Sequence, residues 1–414
     1  MKITGKIIAI NLISLALVVT IFELAVRAYV KPSEKSAGIL LGYELPPIKI
    51  VPVREPPKIV QPRKPVGLTV EGVEITIGDL AGFRQEEPLI GYEPLPNARS
   101  ENGWWYSNNI GARSVLDTAK EIPTGRHRIL IFGDSYAQAS RVPQKDAWTE
   151  ILSSLRPDSE VVNLGVDGYS MAQAYLRFQK ILSMIDYEQV IMVFVPTDDL
   201  WREINSIRYL GHGWEEYQIM PRYTSDEGSL TLRASPYESR QRFYHDNYPE
   251  ISGQTRDHLS RYDRFYDPLR HEKPPVIGDL VSYKIFAAVA SKRRHQNVWR
   301  HLKDPRSEAL TVSREIFNAM NQDAKETGHT FHLIVLPTPG DLAYFRSSEH
   351  DEQWSSWLDV VANVCIGDYP CLDLGEEFKK LPPGAIDIGY DGSHFGPAMN
   401  RRIAEAVARS IDGL

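Results

Sequence analysis

The chain has 414 residues, 42% of them hydrophobic and 24% charged, which is ordinary for a globular protein and enough for one large domain or two smaller ones. Its formal net charge of −7 predicts no basic surface for nucleic acid. The two cysteines, Cys365 and Cys371, are too few for a disulfide-rich scaffold, and their spacing fits no zinc-binding pattern.

The N-terminal segment 7–22 is free of charged residues and has the sequence IIAINLISLALVVTIF. Together with the residues that follow, it reaches the roughly 20 residues that a membrane span needs. We interpret 7–29 as an uncleaved transmembrane anchor and 1–6 as a cytoplasmic tip, because Lys2 and Lys6 precede the apolar segment. A cleaved signal peptide and a buried core helix are the alternatives. A single-pass anchor in a bacterial inner membrane would place the remaining chain in the periplasm.

Segment 30–75 is rich in proline, with PPIKIVPVREPPKIVQPRKP at 46–65. Such a sequence cannot form a helix and favours extended polyproline geometry. We predict a stalk that holds the globular part away from the membrane. A strap packed on the domain surface is the alternative.

Residues 76–414 are predicted to form one domain in which strands and helices alternate. Apolar runs predict strands at 128–132, 160–164, 189–195, 330–336 and 371–374. Helical spacing appears at 147–155, 171–185, 308–327 and 397–411. This alternation predicts a mainly parallel, doubly wound sheet of five strands.

The alternation stops between about 200 and 305, in a polar region that is rich in Tyr, Arg and His. We predict an insertion beside the strand ends, where it could form a lid or a wall of a substrate site. A peripheral elaboration of the domain is the alternative.

The first predicted strand leads directly into Gly-Asp-Ser, in the sequence RILIFGDSY. Gly133 permits a tight turn, and Ser135 follows a strand end, which is where open α/β sheets bind ligands. This position suits a nucleophilic hydroxyl, although the same three residues are common in surface turns.

A serine nucleophile needs a base, and His394 is the strongest candidate among the histidines. Asp391 precedes it by three residues in DGSH. At that spacing the carboxylate can hold one imidazole nitrogen and leave the other free for the serine. The alternative is a helix-capping aspartate beside an incidental histidine.

Four segments, RILIFGDSY, VVNLGVDGYS, VFVPTDDL and DGSHFG, occur in this order. Together they resemble the blocks of the SGNH hydrolases, also called GDSL esterases and lipases, over roughly 128–411. The segments 91–97 and 108–113 resemble the lead-in of membrane-anchored bacterial members. The resemblance implies a flavodoxin-like fold with three α/β/α layers.

The same resemblance implies roles for single residues. Ser135 would be the nucleophile, His394 the base and Asp391 the residue that orients it. The oxyanion hole would use the backbone N–H groups of Ser135 and Gly168 and an asparagine side chain. Gly165, in the same loop, is the alternative to Gly168. Here Asp198 occupies the asparagine position.

A carboxylate at position 198 would repel a developing oxyanion, and the loss of one such donor typically costs about 10²–10³-fold in rate. Three explanations stay open: a protonated carboxyl at Asp198, another task for this residue, or a slow or inactive protein. Pro196 also replaces the usual glycine of this block.

From these residues we expect an exported serine esterase that removes a short acyl group from a small ester or from envelope or extracellular carbohydrate. Acetyl is the leading candidate for the acyl group. Neither a cofactor nor a metal is expected, and the sequence identifies no protein partner. The alternatives are a polysaccharide O-acetyltransferase with the same triad and a decayed module that binds carbohydrate or assists assembly. We also expect a disulfide between the two cysteines, with two buried thiols as the alternative.

Overall fold

The computed structural model describes residues 2–56, 65–70, 73–76, 84–99, 104–214, 216–226, 228–345, 351–389 and 391–412. Its centre is a sheet of five strands, all parallel. In chain order these strands are β1 (His127–Phe132), β2 (Ser159–Asn163), β3 (Gln189–Phe194), β4 (Thr330–Val335) and β5 (Cys371–Asp373). All five lie within a few residues of the predicted positions.

The spatial order of the strands is β2-β1-β3-β4-β5, which is the flavodoxin-like order of a doubly wound sheet. The chain reverses direction of winding between β1 and β3, so their carboxyl ends border the crevice in which such sheets bind ligands. The register aligns the carboxyl ends of these strands, since Ile131 of β1 lies opposite both Asn163 of β2 and Ile191 of β3.

Helices cover both faces of the sheet. The helices Trp148–Leu155 and Pro397–Asp412 pack together on one face, and Met171–Ile181, Pro196–Glu203 and Glu308–Glu326 pack together on the other. The described helices are α1 (Lys2–Arg27), α2 (Ser135–Gln138), α3 (Trp148–Leu155), α4 (Met171–Ile181), α5 (Pro196–Glu203), α6 (Arg208–His212), α7 (Arg240–Asn247), α8 (Gly253–Tyr262), α9 (Pro268–His271), α10 (Val281–Arg300), α11 (Glu308–Glu326), α12 (Pro339–Phe345), α13 (Asp351–Val364), α14 (Leu374–Phe378) and α15 (Pro397–Asp412). This arrangement confirms the predicted α/β class.

The sheet forms the core because its strands are apolar on both faces. Leu130, Ile131 and Phe132 of β1 and Val190 and Phe194 of β3 are fully buried. A strand covered by helices on both sides must bury every side chain, which is why the sequence shows continuous apolar runs instead of alternation.

The predicted insertion lies between α5 and α11 and contains helices α6 to α10 and the antiparallel hairpin Arg222–Asp226/Ser229–Arg233. The hairpin packs against α11, and Arg222 forms an ion pair with Glu308 at the start of that helix. The insertion is therefore folded onto the domain.

None of the helices in the described residues is long and apolar enough to cross a membrane, so the predicted anchor at 7–29 is not confirmed. The segment does form the helix α1, but the side chains of 2–10, 12, 15 and 16 lie outside the described part. At the other end of α1, the carboxylate of Glu23 accepts hydrogen bonds from the backbone N–H groups of Val281 (2.6 Å) and Ser282 (2.8 Å). The last turns of α1 thus contact the folded insertion through α10.

The proline-rich segment packs against the domain where it is described. Leu45, Ile48, Ile50 and Val51 are all at most 3% exposed, and the N–H of Ile48 donates to the carbonyl of Arg270 at 2.8 Å. Over these residues the segment is the surface strap that was the alternative to a stalk. Residues 57–64, 71–72 and 77–83 of the predicted stalk and domain start lie outside the described residues.

The two cysteines are joined as expected. Cys365, after α13, and Cys371, at the start of β5, form a disulfide with a Cα–Cα distance of 5.5 Å. The bond closes a short loop at the edge strand, which receives a hydrogen-bonded neighbour on one side only.

Candidate active site

The turn after β1 places Ser135 at the start of α2 and at the crevice between β1 and β3. Gly133 has φ +141°, and a Cβ there would lie 2.7 Å from the carbonyl oxygen of Val193 in β3, so only glycine fits between the strands. Asp134 caps α2, since its Oδ1 accepts the N–H of Tyr136 at 2.8 Å. Ser135 itself is 2% exposed.

The structure brings the three residues of the predicted triad together. The Oγ of Ser135 lies 2.9 Å from Nε2 of His394, and Nδ1 of His394 lies 2.6 Å from Oδ2 of Asp391. Because a carboxylate only accepts hydrogen bonds, Nδ1 carries the proton and the lone pair of Nε2 faces the serine hydroxyl. This is the geometry that a general base needs.

The loop that carries the base is held by local contacts. Oδ1 of Asp391 accepts the N–H groups of Ser393 and His394, both at 3.0 Å. The imidazole stacks on the ring of Tyr136 at 4.5 Å, and the phenol of Tyr136 donates to the carbonyl of Ser393 at 2.7 Å. The nucleophile turn and the base loop therefore fix each other.

Arg141 is an additional residue of the site that sequence analysis did not identify. Its Nε donates to Oδ2 of Asp391 at 3.1 Å, and its Nη1 lies 3.3 Å from Oδ2 of Asp167. Burial by itself would raise the pKa of Asp391, but the hydrogen bond and the charge of His394, with the loop N–H groups, hold it well below its usual range. The lowered pKa favours the ionised form of Asp391, and the hydrogen bond from Arg141 helps to keep this carboxylate in place.

Gly168 lies in the loop after β2, as expected for an oxyanion-hole donor. It has φ +82°, and a Cβ at this position would lie 2.8 Å from the hydroxyl of Tyr92. The neighbouring Asp167 is ion-paired with Arg141, which itself contacts Asp391. The loop of Gly168 thus adjoins the loop of the base.

Asp198 lies in the first turn of α5, directly after β3. Its Oδ2 is 3.6 Å from Nη2 of Arg202, and its side chain is 32% exposed. Burial raises the pKa of Tyr136, and the negative charge of Asp198 raises it further. Asp198 therefore adds negative charge beside the nucleophile turn, partly balanced by Arg202.

Arg202 also holds the turn that carries Ser135, through a contact with Asp134. Its Nη1 donates to Oδ2 of Asp134 at 3.0 Å and to Oδ1 of Asp199 at 3.1 Å. All three side chains are buried. Burial raises the pKa of Asp134, an effect that Arg202 opposes. The spacing Asp198-x-x-x-Arg202 was the available sequence signal, since residues four apart share one helix face.

The predicted site residues are thus all at the carboxyl end of the sheet, with the triad in hydrogen-bonding contact. The arrangement can activate a serine hydroxyl and receive an oxyanion near backbone N–H groups. Within the described part of the chain, no group of His, Cys, Asp or Glu side chains is arranged to hold a metal ion.

No family model matches the sequence, and no curated protein matches it. Solved structures do match. They include a lipolytic protein of the G-D-S-L family from Desulfitobacterium hafniense (12% identity, 69% of this chain and 99% of that chain, TM-score 0.30). An acetyl xylan esterase (11%, 69% and 99%, 0.35) and an acetylxylan esterase from Geobacillus stearothermophilus (13%, 70% and 96%, 0.33) are also similar. These neighbours include a protein of the G-D-S-L family, which the four sequence blocks resemble, and two esterases.

Proposed function

We propose that the protein is a serine esterase that removes a short acyl group from an ester, with acetyl as the leading candidate for that group. The observation that carries this proposal is the continuous hydrogen-bonded line from Ser135 through His394 to Asp391. A fixed imidazole with one nitrogen on a carboxylate and the other on a serine hydroxyl is the arrangement of nucleophilic acyl transfer.

The reaction would proceed in two halves. Nε2 of His394 takes the proton of Ser135 while Oγ forms a bond to the ester carbonyl carbon. The resulting oxyanion collapses, the bond to the alkoxy group breaks, and the alcohol leaves with the proton from His394. A water molecule then attacks the acyl-serine by the same route, which releases the acid and regenerates the hydroxyl.

Access to Ser135 favours a short acyl group. The residue is 2% exposed, and the rings of Tyr136 and His394, which contacts its hydroxyl, are stacked on each other. An acetyl group adds little volume at such a position, whereas a long chain would need an open groove. As the substrate we propose an O-acylated carbohydrate or a small ester.

We further propose that the protein acts outside the cytoplasm, at the inner membrane and in the periplasm. The disulfide between Cys365 and Cys371 supports an oxidising compartment, and the apolar N-terminal segment 7–22 supports export.

One observation favours a catalytically weakened protein, which is the second candidate. Asp198 stands where an amide donor would serve the oxyanion, and a carboxylate there opposes the charge of the intermediate. The two candidates differ in turnover and not in fold, so they are separable by assay.

The direct test uses the full-length chain with p-nitrophenyl acetate, p-nitrophenyl butyrate and a fluorescent fluorophosphonate. We expect faster cleavage of the acetate and covalent labelling that Ser135→Ala abolishes. Thr149→Ser, a conservative change in α3, is the matched control and should label like the wild type. Equal labelling of Ser135→Ala would refute the proposed nucleophile.

A further inference from the structure

The peptide bond between Asp167 and Gly168 is held from its carbonyl side by two side chains. Nη2 of Arg84 donates to the carbonyl oxygen of Asp167 at 2.6 Å, and the hydroxyl of Tyr92 donates to the same oxygen at 2.9 Å. Both residues come from the antiparallel hairpin Arg84–Glu87/Gly91–Pro94, which precedes the sheet and contains none of the catalytic residues.

A trans peptide points its C=O and its N–H in opposite directions. Donors that fix the carbonyl of Asp167 therefore also fix the direction of the Gly168 N–H, which is the second donor expected for the oxyanion. A cationic donor on the carbonyl also polarises the peptide and strengthens its N–H as a hydrogen-bond donor. The close approach of Tyr92 requires glycine at 168, because a Cβ would lie 2.8 Å from the phenol oxygen.

The clamp formed by Arg84 and Tyr92 is itself held on several sides. The guanidinium of Arg84 lies over the ring of Tyr92, 4.3 Å from its centroid, and its Nη1 donates to Oε1 of Glu216 at 3.1 Å. The ring of Tyr92 packs edge-on against Tyr169. Burial raises the pKa of Tyr92 well above that of a free phenol, although the charge of Arg84 opposes this, so the hydroxyl keeps its proton.

We propose that Arg84 and Tyr92 are positioning residues that aim and polarise the Gly168 N–H toward the oxyanion. The inference rests on the proposed esterase function and assigns part of its catalytic apparatus to the hairpin before the sheet. Since the oxyanion carries full charge only in the transition state and intermediate, the clamp should act on kcat and hardly on KM.

The test compares Tyr92→Phe and Arg84→Met with Glu93→Gln in the full-length chain. Tyr92→Phe keeps the ring and removes one donor to the peptide, whereas Glu93→Gln, in the same hairpin, keeps both donors and weakens the contact with Lys180. We expect kcat for p-nitrophenyl acetate to fall about 10-fold in Tyr92→Phe, below the 10²–10³-fold cost of losing an oxyanion donor outright. KM should stay within about two-fold, and Arg84→Met should lose at least as much kcat as Tyr92→Phe.

A second measurement separates positioning from structural support. Methylboronic acid forms a tetrahedral adduct with an active serine and places an oxygen in the oxyanion hole, so its Ki should rise by the same factor as kcat falls. Arg84→Lys, which retains a cation, should recover part of the loss. Glu93→Gln should keep the wild-type kcat and Ki.

Several outcomes would overturn the inference. These are an unchanged kcat and Ki in Tyr92→Phe and Arg84→Met, a change confined to KM, or an equal loss in Glu93→Gln accompanied by a lower melting temperature. The inference is separable from the proposed function, because fluorophosphonate labelling that depends on Ser135 tests the nucleophile alone. If that labelling fails in the wild type, the esterase proposal fails first.

Discussion

The residues of the triad are close in space because two local structures present them at one edge of the sheet. Ser135 follows β1 directly, and Asp391 and His394 share one loop. Strand-end position and a spacing of three residues are both visible in a sequence, so these three residues could be predicted. Their mutual contact needs the whole fold, because 259 positions separate the serine from the histidine.

Other residues of the site could not be predicted, because their roles depend on contacts between distant segments. Arg84 and Tyr92 reach Asp167 across 83 and 75 positions. Arg141 contacts Asp391 across 250 positions. A lone arginine or tyrosine in a sequence carries no sign of the carbonyl or carboxylate that it will meet, so only the structure identifies these partners.

At Asp198, replacement by asparagine restores a donor and removes a negative charge. We expect Asp198→Asn to raise kcat for p-nitrophenyl acetate, by up to about 10²-fold if the amide reaches the oxyanion. Because Arg202 lies 3.6 Å from Asp198 and offsets part of its negative charge, the increase in kcat can be smaller than this upper value.

The control for this prediction is Asp198→Ala, which removes the charge without adding a donor and should recover less rate than asparagine. A rate for Asp198→Asn at or below that of the wild type, with an unchanged circular dichroism spectrum, would show that the carboxylate has a task of its own.

At the scale of secondary structure elements, one buried carboxylate, that of Glu203, joins the neighbouring helices α4 and α5. Glu203 is the last residue of α5 and is fully buried. Its Oε1 accepts the N–H of Met171 at the start of α4 at 2.6 Å. Burial raises the pKa of Glu203 to about 7, although the charge of Arg208 opposes the shift. We therefore expect the contribution of this contact to stability to depend on pH.

This gives a stability prediction with a definite sign. In the unfolded chain Glu203 titrates near the ordinary glutamate pKa of about 4.3, so between about pH 4.3 and 7 the folded state binds more protons. The contribution of Glu203 to stability therefore falls as pH rises through this window and is constant above it. Glu203→Gln removes this loss, which amounts to about 4 kcal/mol for a shift of this size.

We expect thermal melts of Glu203→Gln and wild type to diverge between pH 5 and pH 8, with the variant gaining relative stability at pH 8. Any packing offset from the amide is common to both pH values and cancels. Glu377→Gln, on the exposed side of α14, is the control and should follow the wild type. A difference between Glu203→Gln and wild type that stays the same at both pH values would contradict the assigned pKa shift.

At the scale of the whole molecule, the sequence predicted the parallel sheet, whereas it left two interpretations open for the proline-rich segment. The five strands were visible as apolar runs, and their alternation with helices predicted the parallel class. Proline patterning at 46–65 is compatible with both an exposed stalk and a packed strap, because both are extended. What decides between them is whether Leu45, Ile48, Ile50 and Val51 meet an apolar surface, and this depends on the fold of the insertion.

The strap joins the N-terminal segment, the insertion and the core. Val51 is fully buried in the main hydrophobic core, and the carbonyl of Ile48 accepts a hydrogen bond from Nδ1 of His271 at 3.0 Å. Burial lowers the pKa of His271 to about 3, so the imidazole stays neutral and this bond persists across ordinary pH. Removing the strap should therefore destabilise the insertion and the core together.

This is testable with two chains that begin at residue 30 and at residue 52. Full burial of a large aliphatic side chain contributes about 1.5–3 kcal/mol at most, and four such side chains lie between the two start points. The chain that begins at 52 should melt on the order of 10 °C lower than the chain that begins at 30. Val51→Ala in the longer chain should produce a smaller drop in the same direction, because the strap stays in place and only one side chain is shortened. If both chains melt at the same temperature, the strap contributes nothing to the fold, and segment 30–75 acts as the stalk that its proline content also allows.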